Sequence, residues 1–136
     1  MNFSLIHVLL VAAGGGIGGI IRFWLSVAIG RRYGETFPWG TLVVNVTGAA
    51  CIGVLAGLLI DRESHAVAQV PLWTGLIIGI LGSYTTVSSF SLQTLALARY
   101  GKPLHAMLNV AGSVVLCLSA AAVGYAAVIA SGGLYR

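Results

Sequence analysis

Acidic residues are almost missing from this chain. Only three occur in 136 residues, Glu35, Asp61 and Glu63, and all three fall in polar stretches between long apolar runs. Proton-coupled cation exporters need a carboxylate inside the bilayer, so their signature is absent. Cysteine is scarce too. Cys51 and Cys117 stand in separate apolar runs, with no CxxC and no Cys/His cluster, and read as small buried side chains rather than a disulfide or a metal site. His7, His65 and His105 are dispersed and lack ligand spacing. No GxSxG, HExxH or phosphate-cradling loop occurs, and no DNA- or RNA-binding signature. Neither an enzyme nor a nucleic-acid binder is expected.

Charge of either sign is low. Charged residues make up 7% of the chain and hydrophobic ones 58%, with a mean hydropathy of +0.99. A soluble domain carries about 25% charged residues, so the composition is that of an integral membrane protein. The net charge of +4 comes from basic residues scattered over short loops, where they flank membrane spans rather than form a patch. No signal peptide is expected, because the first apolar run lacks a basic leader and a small-x-small cleavage site.

A span needs about 20 apolar residues, and the chain supplies four such runs, at about 5–29, 39–60, 72–97 and 104–130, in one membrane domain covering 1–136. Gly30–Pro38, Asp61–Pro71 and Ala98–Pro103 are the polar connections. The first run carries Gly14, Gly18 and Arg22 four residues apart. Small residues at that spacing let a second backbone come close. Arg22 is either an interfacial arginine reaching to water or a charge that concentrates anions at a pore mouth. The second run holds Thr41 and Asn45 on one helical face. Asn45 is deep enough to need a partner, as interhelical glue or as part of a path. Asn109, Ser113 and Cys117 form a polar stripe on the fourth run.

The third run is interrupted. Gly79 to Gln93 reads GILGSYTTVSSFSLQ, with six Ser or Thr residues close together. Irregular, hydroxyl-rich backbone at membrane depth is tolerated where it is buried in protein or lines a polar path, and interrupted helices commonly mark the ion or substrate site. The polar inventory inside the membrane is neutral donors: hydroxyls, the Asn45 and Asn109 amides, and the positive edges of aromatic rings. Such donors suit a small, strongly hydrogen-bond-accepting anion held weakly enough to leave. Backbone carbonyls freed at a break suit a bare monovalent cation.

Three segments together resemble the small bacterial fluoride channels, the CrcB or Fluc family. Gly14, Gly18 and Arg22 are similar to its first-span GxxxGxxxR. Pro38 to Gly48 is similar to its PxGTLxVNxxG, and Gly79 to Phe90 to its GxxGGxTTFSTF. The four-span layout agrees from end to end. The resemblance implies an all-α membrane protein of four transmembrane helices, the third broken at the bilayer midplane. It also implies an antiparallel, dual-topology dimer that lets cytoplasmic fluoride out across the bacterial inner membrane. Carried over, it puts Asn45, Phe90, Ser113, Thr41, Ser88, Asn109 and Arg22 on or beside the anion's route. It puts a structural sodium ion on the dimer axis, held by the backbone carbonyls of Gly82 and Thr85 from both chains. Val87 stands where the family has its first phenylalanine, Ser83 where it has the second glycine of a pair, and Gln93 where a glutamate is common. Asn109 occupies the place of a frequent tyrosine.

Orientation is balanced only loosely. Arg31, Arg32, Arg99 and Lys102 fall on one side of the membrane, and Arg62 and Arg136 on the other. Dual topology needs near balance in this count, and the expectation is a homodimer rather than pairing with an inverted paralogue. Two other readings are a small cation-coupled exporter, which needs a titratable intramembrane group, and a non-conducting membrane subunit packed through its glycine faces.

Overall fold

Glycine decides where the first helix ends. The computed structural model describes residues 5–34, 36–59 and 71–131, and these form five helices and no strand. Helix α1 spans Leu5–Tyr33, four residues beyond the expected end of the first span. Gly30 does not stop it. The stop is Gly34, whose φ of 83° takes the left-handed conformation that glycine adopts without strain. Its N–H donates back to Gly30 O at 2.9 Å, and the expected turn at Gly30–Pro38 shrinks to its second half.

Helix α2 spans Trp39–Leu59, α3 Pro71–Tyr84, α4 Val87–Arg99 and α5 Pro103–Ala130. The expected loop at 61–70 lies outside the described residues. Helices α1, α2 and α5 are each long and apolar enough to cross a membrane; α3 and α4, 14 and 13 residues long, are separately too short for that. The turn between α4 and α5 carries Gly101 at φ 73°, and Pro103 opens α5 at a position where its missing N–H costs nothing.

Helix α1 packs chiefly on α3, and α2 chiefly on α5. Both contacts rest on backbones brought close at glycine. Gly14 and Gly18 are the buried residues of α1, and a Cβ on Gly18 would run into the Ile80 backbone. A Cβ on Gly53 of α2 would meet Ala121 O of α5 in the same way. Large apolar side chains cover the outside instead, among them Ile20, Phe23, Trp24, Met107 and Leu118. In water such a surface would aggregate; it suits lipid or a second copy of the chain.

Candidate functional site: a two-residue break and the groove beside it

Thr85 and Thr86 separate α3 from α4. The sequence favours a stop here because Thr86 caps the next helix: it is extended, at φ −149° and ψ 122°, and its Oγ1 accepts from Ser89 N at 3.2 Å. A threonine cap contributes about 1 kcal/mol. Ser88 extends this hydroxyl cluster, with its Oγ 3.2 Å from Thr86 Oγ1.

Two side chains from other helices engage the backbone around the break. Asn45 of α2 donates from Nδ2 to Thr86 O at 2.9 Å and accepts from Thr86 N at 2.8 Å through Oδ1. An amide has two N–H hydrogens, so one remains uncommitted. Arg22 of α1 donates from Nε to Ser83 O at 3.0 Å. It sits two turns along from Gly14 on the face that meets α3, so the GxxxGxxxR spacing places two close contacts and one charge-assisted bond on a single seam. The link spans 61 residues of sequence.

These bonds redirect the backbone. In an unbroken helix each N–H donates to the carbonyl four residues earlier. Thr86 N would then serve Gly82 O, but it serves Asn45. Ser89 N would serve Thr85 O, but it serves the Thr86 hydroxyl. Ser83 O and Thr86 O gain side-chain donors from Arg22 and Asn45. Gly82 and Thr85 are thus among the carbonyls around the break that lose their helical donors. Carbonyl oxygens without N–H partners are the donor set a bare monovalent cation takes, so these two residues fit the sodium site that the resemblance implies. Gly82 is exposed, with nothing within 4 Å of where its Cβ would be. Among the described residues no cluster of His, Cys, Asp or Glu could hold a metal.

Beside the break runs a groove of about 280 Å³, bordered by Asn45, Thr86, Val87, Phe90, Ser113 and Cys117, with Val114 and Leu118. It brings together Asn45, Phe90 and Ser113 from α2, α4 and α5. Ser113 is 8% exposed, and its side chain borders the groove. Val87 is 76% exposed at the groove edge.

A larger cavity, about 720 Å³, opens where α1 and α4 end and α2 and α5 begin. Thr41 and Gln93 border it, together with the basic side chains of Arg31 and Lys102. Thr41 is buried, and its fourfold spacing to Asn45 puts one residue at this cavity and the other at the groove. Gln93 Oε1 is buried without a partner; the sequence marked Gln93 only as a departure from the family pattern. Asn109, also on the sequence's polar stripe, is 2% exposed and donates from Nδ2 to Thr94 Oγ1 at 2.8 Å. It does not border the groove. Thr94 had no signal of its own in the sequence.

Comparison with known proteins gives a consistent result. The family model described as CrcB-like protein, Camphor Resistance (CrcB), matches residues 9–125. A protein named "Fluoride-specific ion channel FluC 2" from Rhodopseudomonas palustris is 55% identical over 121 residues, covering 88% of this chain and 91% of its own length. One of the same name from Bradyrhizobium diazoefficiens is 51% identical over 118 residues, covering 87% and 85%. "Fluoride-specific ion channel FluC" from Opitutus terrae is 48% identical over 124 residues, covering 89% and 91%.

Proposed function

This chain belongs to the CrcB family, and from that premise we propose that it is a fluoride-specific ion channel, a multi-pass membrane protein that lets fluoride leave the cell passively. It is not an enzyme. The single observation that carries the reading is the groove at the break, where Asn45, Phe90 and the Ser113 hydroxyl meet. Uncharged donors bind a small anion without trapping it, which is what conduction requires. Hydrogen fluoride crosses membranes neutral and dissociates inside; the membrane potential then drives the anion out with no energy source in the protein.

The finer reading follows the same chemistry. Helices α3 and α4 are the two halves of a third span, interrupted at the bilayer midplane, so that the chain crosses four times as a single domain. The route runs from the cavity at Thr41, past Asn45 and Ser88, along Phe90 and Ser113, with Arg22 drawing anions toward it. Two copies in opposite orientation, placed in the bacterial inner membrane, cover each other's apolar faces. The bared carbonyls of Gly82 and Thr85 from both copies would hold a sodium ion, whose positive charge would draw the negative ends of the carbonyl dipoles of two polar breaks together in an apolar interior. The diverted donors of those two carbonyls support this assignment.

Liposomes loaded with fluoride and containing the purified protein test the function. Efflux well above that of protein-free liposomes, with chloride retained, is the expected result. Folded protein that releases no fluoride would overturn the proposal.

A further inference from the structure

Helix α4 carries Phe90, and its apolar side chains hold it only in part, with Phe90, Ala96 and Leu97 half-buried. None of its residues is buried, and its contacts with α2 are few beside those with α5. Without a buried side chain, a short helix lacks the knob that would hold it in one register. The polar contacts supply one. Thr94 Oγ1 donates to Phe90 O, one turn back, at 2.7 Å. The same oxygen accepts from Asn109 Nδ2 of α5 at 2.8 Å. Asn109 is 2% exposed, so its amide is committed in a dry site where hydrogen bonds polarise one another.

The spacing gives this relay a consequence. Phe90 and Thr94 are one turn apart on α4; Asn109 and Ser113 are one turn apart on α5, which runs the other way after a three-residue turn. Thr94 set against Asn109 therefore puts Phe90 level with Ser113, and both border the groove. We propose that the Asn109–Thr94 pair is a register pin that positions the Phe90 ring against the Ser113 hydroxyl. The inference rests on the fluoride-channel reading and assigns Asn109 and Thr94 to positioning rather than to contact with the ion. A slip of one turn, about 5.4 Å, would part ring from hydroxyl, and a donor pair that must act together cannot work at that separation.

The test separates the hydroxyl from its volume. Thr94→Val keeps the shape and removes the bond; Thr94→Ser keeps the bond and removes a methyl group. Fluoride efflux from liposomes should fall at least tenfold for Thr94→Val and for Asn109→Leu. The double variant should be no worse than the slower single, and Thr94→Ser should stay within about twofold of the parent. A second readout needs no transport. With Cys51 and Cys117 changed to alanine, a disulfide between Phe90→Cys and Ser113→Cys should form readily, and at least tenfold more slowly once Thr94→Val is added. Thr94→Val matching the parent in efflux and in cross-linking would overturn the proposal, as would Thr94→Ser being as impaired as Thr94→Val. If Thr94→Val cannot be recovered folded, Asn109→Leu carries both comparisons. An unsubstituted protein that passes no fluoride, while the Phe90→Cys/Ser113→Cys pair still cross-links in a manner that depends on Thr94, would count against the channel reading and leave the pin standing.

Discussion

Replacing Asn45 by alanine removes two hydrogen bonds at once and leaves Thr86 N–H and Thr86 O without the partners they have at 2.8 and 2.9 Å. Thr86 N loses its partner, which costs about 1–3 kcal/mol, while Thr86 O, the N-cap carbonyl that α4 also uses, loses one bond worth about 0.5–1.5 kcal/mol. Both bonds are only part-buried, which puts the sum at about 2–3 kcal/mol. Part of that is recovered by an alternative that works against function: Thr86 N can return to Gly82 O and continue α3 through the break. Local opening of the α3–α4 junction should become about thirty- to a hundredfold more frequent, since 1.4 kcal/mol is a factor of ten. Hydrogen exchange read by mass spectrometry on the peptide covering 81–90 measures this directly, and fluoride efflux should be lost in the same sample. Exchange within threefold of the parent, with efflux preserved, would refute the claim that this amide holds the break.

Other substitutions test other parts of the site. Phe90→Ile removes the aromatic edge beside Ser113 and should bring efflux to the level of protein-free liposomes while leaving the protein folded on gel filtration. Asn45→Asp keeps an acceptor for Thr86 N but sets a negative charge at the groove, and should abolish protection of a fluoride-sensitive strain. Gly18→Val places a side chain against the Ile80 backbone and should lower thermal stability by about 1–3 kcal/mol, measured by melting in detergent. Long dialysis against a bulky organic cation in place of sodium should weaken pairing of two copies and slow efflux, both restored when sodium is returned.

Much of this arrangement was legible in the residues because lipid removes choices. With no water to satisfy backbone groups, a run of hydroxyls and glycines such as Gly79 to Gln93 has few explanations, and the two non-helical residues fall inside it. Gly14, Gly18 and Arg22 do share one face, as their spacing requires. Span ends were less legible: Gly30 and Gly34 look alike in the sequence, and only the backbone angle at Gly34 tells which one stops α1. The partners of long-range bonds were not legible. That Arg22 reaches Ser83 O, or that Asn109 turns to Thr94 rather than to the groove, depends on how helices distant in sequence are set side by side. A stripe of polar residues fixes a face; it does not say which of its members meets a neighbour and which meets an open space. The separation of two turns between Asn109 and Cys117 at either end of that stripe is enough to give the one a buried partner and leave the other at the groove.

The diverted Thr86 N–H has one more implication. On the proposed reading, a single carboxamide borders the halide's corridor and, by taking that hydrogen, also bares an oxygen for the alkali ion. Permeation and assembly then share a hinge point: evolution cannot retune the one at position 45 without disturbing the other, and any replacement there has to satisfy two customers of opposite sign.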